Sequence, residues 1–150
     1  MTEVIPIPIL LARGVCRALA QRGFATLTEF SLANGRRADV IGLGRGGELV
    51  IVEIKSSVPD FRNDGKWPEY RDFCDRFYFA VPEEFPRDLI PGECGLIVAD
   101  PFGAAILRES PGIALAPARR KAVTLRFALV GSDRLRRLLD PAAEEPASLF

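Results

Sequence analysis

The sequence contains no histidine among its 150 residues, which removes several common kinds of catalytic site. Without an imidazole the chain cannot build a Ser-His or Cys-His triad, nor a zinc site with histidine ligands. Any catalysis by this chain must therefore use carboxylates, lysine, tyrosine or cysteine.

Cysteine is also scarce, with only Cys16, Cys74 and Cys94 in the chain. The three are odd in number, far apart in sequence and set among apolar residues. This pattern indicates reduced core residues rather than a disulfide framework or a set of metal ligands.

Long apolar runs and an excess of charge are missing as well. No run reaches the roughly 18 residues of a membrane span, and the first residues lack the basic segment of a secretory signal peptide. We therefore expect a cytoplasmic protein with no membrane partner. The 20 basic and 20 acidic residues balance, which excludes a generally cationic coat but permits a local basic patch.

The length and the 48% apolar content are typical of one domain, which we expect to span 1–150. Hydrophobic periodicity and turn signals predict a core at about 10–110, a C-terminal helical part at about 117–139 and a loose tail at 141–150. The predicted strands cover 24–32, 38–43, 49–55, 76–81, 95–100 and 104–109, and the predicted helices cover 9–22, 68–75, 117–130 and 132–139. This order predicts an α/β fold with a mixed β-sheet and flanking helices.

The strand at 49–55 is apolar on both faces, which is typical of a central strand covered on both sides. With a connecting loop of residues 44–48, Leu43 faces Leu49 and the following apolar pairs match across the two strands. A loop one residue shorter would turn the preceding strand over. The matched apolar pairs favour the five-residue loop.

That register places Asp39 opposite Glu53, while Lys55 shares a strand face with Glu53. Two opposed carboxylates repel each other, and a divalent cation between them would reverse the penalty. An Asp and a Glu with a neighbouring Lys therefore fit metal-assisted phosphodiester hydrolysis. The alternative is that Lys55 only forms a structural salt bridge with one of the carboxylates at the end of the sheet.

Longer motifs around these residues resemble the PD-(D/E)xK nuclease superfamily and, within it, the MmcB-type DNA repair family. The resemblance covers roughly 10–110 and rests on Arg37-Ala-Asp39-Val, on Leu49-Val-Ile-Val-Glu53-Ile-Lys55-Ser56, and on the more specific run from Lys66-Trp67 to Val81-Pro82. The superfamily's proline is absent, since Arg37-Ala38 precedes Asp39.

The resemblance implies a restriction-endonuclease-like fold, with Asp39 and Glu53 as ligands of Mg²⁺ or Mn²⁺ and Lys55 as the catalytic lysine. It also implies an acidic metal ligand upstream of Asp39. Glu29 is the only nearby candidate, and its alternative role is that of a solvated strand carboxylate.

Candidate DNA-binding residues lie near the motif and in the C-terminal third. Arg36 and Arg37 precede Asp39, and Lys66 could contact a phosphate or simply be solvated at a helix start. Trp67 could stack on an unpaired base, although a place in the core is the more common role for such a residue. The run Arg119, Arg120 and Lys121 begins a helix, where positive charge is unfavourable, and this placement indicates either an anionic partner or a solvated helix face.

Two classes of function follow from these residues. The first is a metal-dependent DNA endonuclease acting in DNA repair, on damaged, branched or nicked DNA rather than on a specific sequence. The second is a non-catalytic module of nuclease fold that binds DNA or a repair partner. Because the total charge is neutral, either function could require a homodimer or a repair-protein partner to reach useful affinity for DNA.

Overall fold

The computed structural model describes residues 3–142 and 144. The elements in chain order are helix α1 (Ile7–Gln21), strands β1 (Ala25–Ser31), β2 (Arg37–Leu43) and β3 (Leu49–Ile54), helix α2 (Val58–Arg62), the 3₁₀ helix Trp67–Phe73, strand β4 (Arg76–Val81), the 3₁₀ helix Arg87–Leu89, strands β5 (Gly95–Ala99) and β6 (Ala104–Arg108), and helix α3 (Pro117–Leu139).

The six strands form one mixed sheet in the order β1-β2-β3-β4-β5-β6. Strands β1, β2 and β3 form an antiparallel meander, and β4 joins β3 in parallel after the crossover through α2 and the first 3₁₀ helix. Strand β5 is parallel to β4, and β6 returns antiparallel to β5. The predicted α/β fold with a mixed sheet and flanking helices is therefore confirmed, including the helical crossover before β4.

Both faces of the sheet are covered, because the central strands are apolar on both sides. Every residue of β3 is buried. On one face, Ile51 and Phe79 belong to the core that also includes Val123 of α3. On the other face, Val52 and Ala80 pack with residues of α1 such as Val15. The sheet is thus the middle layer between α1 and α3.

Helix α1 lies unusually close to the β5–β6 hairpin. A Cβ on Gly14 would come within 1.9 Å of the Asp100 carbonyl oxygen and 2.5 Å of the Gly103 carbonyl oxygen. Only glycine allows this approach. At the end of the helix, Gly23 has φ +88°, the left-handed conformation expected of a helix-terminating glycine.

Two predicted helices in the first half of the chain differ from the structure, and a further short helix was not predicted. Helix α1 begins at Ile7 rather than Ile9, because a proline in the first turn lacks only an N–H that the helix does not use. Residues 58–62 are helical, since the Ser57 hydroxyl accepts the Asp60 N–H as an N-cap. The segment predicted as a helix at 68–75 is instead the seven-residue 3₁₀ helix Trp67–Phe73, a form that proteins use in short connections.

The C-terminal helices predicted at 117–130 and 132–139 form one continuous helix, α3. An interior glycine such as Gly131 costs roughly 1 kcal/mol relative to alanine, which is too little to break a long helix. Just after it, Asp133 forms ion pairs with Arg136 and Arg137 along the helix, which support the continuous path.

Cys16, Cys74 and Cys94 are free thiols, as predicted. In the part of the chain that the structure describes, no helix has both the length and the apolar character to cross a membrane. Most of the predicted loose tail at 141–150 lies outside the described residues.

Candidate functional site

The candidate site lies where β2 and β3 meet at one end of the sheet. The pairing of Leu43 with Leu49 and of Val40 with Val52 confirms the register of the five-residue loop. The same register, extended by one residue, sets Asp39 opposite Glu53. The peptide N–H of Asp39 donates to Glu53 Oε1 at 2.9 Å, and the Ile54 N–H donates to Asp39 Oδ2 at 2.8 Å.

The carboxylates of Asp39 and Glu53 have little exposure to solvent. Glu53 is 4% exposed, and Asp39 is half-buried. Burial raises the pKa of the Glu53 carboxyl far above its ordinary value of 4.5, and the nearby Asp39 charge raises it further. Burial also raises the pKa of Asp39, although the Ile54 N–H and the Lys55 charge act to lower it. The pair therefore resists double ionisation unless a cation joins it.

Lys55 follows β3 directly, and its side chain enters the same site. Its peptide N–H extends the parallel ladder by donating to the Ala80 carbonyl at 2.9 Å. Its ammonium lies 2.8 Å from Asp64 Oδ2, with the two side chains 8% and 17% exposed. Burial acts to raise the pKa of Asp64, but the bonds from Lys55 and from the Lys66 N–H hold it below its ordinary value. Lys55 thus forms a salt bridge with Asp64, and not with Asp39 or Glu53, the partners that the structural alternative named.

A cleft of about 690 Å³ opens over these residues. Asp39, Glu53 and Lys55 line this cleft. It is also lined by the basic side chains of Arg36, Arg37 and Lys66 and by the acidic side chains of Asp60 and Asp64. The structure therefore brings the predicted catalytic trio together with three of the seven predicted DNA-binding residues.

These three basic residues differ in whether they already form an ion pair within the protein. Arg36 Nε lies 2.5 Å from Glu69 Oε2. Arg37 and Lys66 are exposed, and neither side chain makes an ion pair with any described residue. Arg37 and Lys66 are thus the cationic side chains of the cleft that remain open to an anionic ligand.

Tyr70 lines the cleft and contacts the backbone of Arg37. Its hydroxyl donates to the Arg37 carbonyl at 3.1 Å, and its ring stacks on Phe77 at 6.0 Å between centroids. Burial raises the pKa of Tyr70, and the charges of Glu53 and Asp39 raise it further. Tyr70 therefore stays a neutral hydrogen-bond donor over the physiological range.

The structure does not place Glu29 with the predicted metal ligands. Glu29 is exposed in β1, has a positive φ of 48° and is absent from the residues that line the cleft. The register of β1 against β2 pairs Thr28 with Val40 and Phe30 with Ala38, so it runs unshifted past Glu29 and sets this residue across from Asp39. The positive φ accompanies an exposed Glu29 side chain, which favours the role of a solvated strand carboxylate.

Trp67 packs against the core instead of lining the cleft. Its ring stacks on Phe77 at 5.9 Å and meets Phe79 edge to face at 5.8 Å. The Arg71 guanidinium covers it at 4.6 Å from the ring centroid. These contacts engage the ring with partners from the protein itself, so the structure favours the core role over the DNA-stacking role.

The basic run at the start of α3 also lies outside the cleft. Arg120 forms two bonds to the Asp75 carboxylate, at 2.6 and 2.7 Å, and a third to the Gly47 carbonyl. Arg119 lies over the Phe73 ring at 4.3 Å, and Lys121 is exposed. The positive charge at this helix start therefore has an internal partner in Asp75, which the sequence pattern did not reveal.

Nothing in the sequence indicated that two further carboxylates, Asp60 and Asp64, would line the cleft. Asp64 precedes a glycine and looked like part of a turn, and no spacing rule links it to Lys55 nine positions earlier. Asp60 was another loop carboxylate without a pattern of its own. Both enter the cleft because the crossover after β3 folds back over the end of that strand.

A family model for MmcB-like DNA repair proteins matches residues 7–142, which is nearly the whole chain. The chain belongs to the MmcB-like DNA repair protein family. No curated protein matches the chain. Membership places the cleft in a DNA repair family, and it identifies neither the reaction nor the residues that carry it.

Two solved structures are similar to the chain. SPO1766, a protein of unknown function from Silicibacter pomeroyi, is 44% identical with a TM-score of 0.93, covering 97% of this chain and 100% of its own. A repair endonuclease from Pyrococcus abyssi is 14% identical with a TM-score of 0.38, covering 57% of this chain and 42% of its own. A likeness as low as the second decides neither fold nor activity.

Proposed function

We propose that this MmcB-like protein is a Mg²⁺- or Mn²⁺-dependent DNA endonuclease that acts in DNA repair. The observation that carries the proposal is the opposed pair Asp39 and Glu53 at the end of β3, with Lys55 in the same cleft. Two buried carboxylates that repel each other favour a site for a divalent cation over a purely structural arrangement.

The donor set fits a hard cation. One oxygen of Glu53 and one of Asp39 each accept a peptide N–H, which orients both carboxylates, and the two side chains lie within hydrogen-bonding reach of each other. Within residues 3–142 and 144, no group of three or more acidic or cysteine side chains could hold a metal. Mg²⁺ often takes only one or two carboxylates and completes its shell with water and substrate phosphate. We therefore assign the cation to Asp39 and Glu53 alone.

The remaining side chains have roles suited to phosphodiester hydrolysis. A divalent cation at this site would supply Lewis-acid polarisation of the scissile phosphoryl group. Lys55 provides a fixed ammonium that stabilises negative charge developing on the phosphate. Arg37 and Lys66, at the rim, would bind the flanking phosphates of the DNA strand.

DNA is the substrate class that the family supports, and the charge of the chain sets the expected affinity for DNA. Because the 20 basic and 20 acidic residues balance, binding to the DNA backbone would depend on local cations such as those of the cleft. We infer recognition of damaged, branched or nicked structure rather than of sequence, because contacts to phosphates position a protein on DNA but carry no sequence information.

The second candidate is a non-catalytic module that binds DNA or a repair partner. It is favoured by the ion pairs of Lys55 with Asp64 and of Arg36 with Glu69, which engage two of the cleft's cations without any ligand. This candidate predicts DNA binding that does not depend on Glu53 and no change in the DNA itself.

Cleavage assays separate the two candidates. Nicked, branched, single-stranded and duplex DNA are incubated with Mg²⁺ or Mn²⁺ and wild type, Glu53→Gln, Lys55→Met or the control Asp88→Asn. Asp88 is an exposed acid outside the cleft, so its substitution matches the charge change of Glu53→Gln alone. Cleavage by wild type and Asp88→Asn only supports the nuclease. Equal DNA binding by all four proteins without any product supports the binding module.

A further inference from the structure

Lys55 is bonded to a carboxylate outside the predicted metal pair. Its ammonium is 2.8 Å from Asp64 Oδ2, and no other ion pair within 4.0 Å joins it to a described acid, including Asp39 and Glu53. A buried ammonium beside three carboxylates could pair with any of them. The structure shows the Lys55 ammonium paired with Asp64.

Asp64 is held in place by bonds that do not involve the Lys55 side chain. Asp64 Oδ1 accepts the Lys66 N–H at 2.9 Å, and the Asp64 N–H donates to the Phe61 carbonyl at 3.1 Å. These bonds orient the carboxylate so that its second oxygen faces the cleft. Both bonds hold Asp64 without a contribution from the lysine ammonium.

Aromatic contacts anchor the Asp64 loop on both sides. Phe61, before the loop, meets the Phe79 ring at 5.4 Å, and Trp67, after it, meets the same ring at 5.8 Å. Phe79 is the β4 residue paired with Glu53. The loop that carries Asp64 is therefore tied to the strand beside Glu53, at a set distance from the metal pair.

We propose that Asp64 is a positioning residue that holds the Lys55 ammonium off the Asp39–Glu53 pair, so that both carboxylates stay open to a divalent cation. Without the Asp64 charge, the buried ammonium gains most by turning to Glu53 or Asp39, where it competes with the cation. The inference rests on the proposed function, because it assigns a task to Asp64 at the proposed metal pair.

The test is calorimetric titration of Mn²⁺ into wild type, Asp64→Asn, Lys55→Met and the double variant, in the absence of DNA. Asparagine keeps an oxygen for the Lys66 N–H, so the loop retains its cap while the charge is lost. We expect Asp64→Asn to bind Mn²⁺ roughly tenfold more weakly. We expect the double variant Asp64→Asn/Lys55→Met to return to the affinity of Lys55→Met, since no ammonium is left to compete.

Two results would overturn the inference. Unchanged Mn²⁺ affinity in Asp64→Asn means that Lys55 does not compete for the pair. An affinity that stays weak in the double variant means that Asp64 binds the cation itself or only maintains the loop. Asp88→Asn controls for the change of charge, and unfolding curves of each variant show that it is folded.

The failure of this inference differs from the failure of the proposed function. If the four titrations follow the expected pattern while no DNA is cut, the positioning role stands and the endonuclease is wrong. If DNA is cut and the double variant is not restored, the endonuclease stands and the role of Asp64 is wrong. If wild type binds no Mn²⁺ at all, both are wrong.

Discussion

A carboxylate centre lies at each end of strand β3, and the two centres differ in how many hydrogen-bond donors surround the negative charge. At its start, the Asp75 carboxylate accepts the N–H groups of Leu49 and Leu115 and two bonds from Arg120, all between 2.6 and 3.0 Å. At its end, Glu53 faces Asp39, and each accepts one peptide N–H.

The pKa values record this difference. Burial acts to raise the pKa of Asp75, but the Arg120 pair and the two peptide N–H groups lower it to about 2. Burial and a like charge both raise the pKa of Glu53. A carboxylate with a full set of donors stabilises the fold, whereas carboxyl groups with pKa values raised by burial and a neighbouring acid are typical of functional sites. The first centre is structural, and the second is the candidate for function.

The largest effect should come from breaking the second centre. Asp39→Asn keeps an acceptor for the Ile54 N–H but removes one charge from the proposed metal pair. We expect DNA cleavage to fall roughly 10²–10³-fold, about 3–4 kcal/mol of barrier, with little change in unfolding. Single-turnover cleavage rates measure this. A variant that cuts as fast as wild type would remove Asp39 from the mechanism.

Breaking the first centre should instead affect the fold. Asp75→Asn leaves Arg120 without its partner and the Leu49 and Leu115 N–H groups with a weaker acceptor. We expect the free energy of unfolding to fall by about 3 kcal/mol. Urea unfolding followed by circular dichroism checks this, with Asp88→Asn as the matched surface control. A loss no larger than that of the control would show that this centre does not stabilise the fold.

Acid should weaken the first centre selectively. The pKa of Asp75 is lowered from 3.8 to about 2, so its contribution is complete above pH 4 and is lost as the pH falls to 2. The expected loss is about 2 kcal/mol. Urea midpoints of wild type and Asp75→Asn at several pH values in this window should converge as the pH falls. Parallel curves would contradict the assignment.

The smallest effect should be a gain in stability at the second centre. Because the pKa of Glu53 is raised, its stabilising contribution is present below pH 4.5 and is lost as the pH rises above that value. Glu53→Gln removes the repulsion, and we expect about 1 kcal/mol of added stability at pH 8 without metal. The gain should shrink toward pH 5. A glutamine variant that is less stable than wild type at pH 8 would show that the pair is not strained.

Much of the second centre could be predicted from the sequence, because its residues lie on strands. Alternation of apolar residues fixes the register of β2 against β3, and the register alone sets Asp39 opposite Glu53. Lys55 follows two positions after Glu53 and shares its face. These are short-range rules, and the structure satisfies each of them.

The partners of both centres could not be predicted, because they come from loops and helices far away in the chain. Asp64 reaches Lys55 only through the path of the crossover, and Arg120 reaches Asp75 only through the packing of α3. Glu29 lies across from Asp39 in the register of β1 and β2, but its side chain is exposed and outside the cleft. Its role as a third metal ligand stays a prediction that this geometry does not favour.

The most direct test of the account is anomalous diffraction from crystals of the metal-free protein soaked in Mn²⁺. We expect one anomalous peak bonded to the carboxylates of Asp39 and Glu53, with Lys55 still on Asp64. No peak at this pair, or a peak elsewhere in the cleft with Asp39 and Glu53 unchanged, would contradict the claim that the second centre holds a divalent cation.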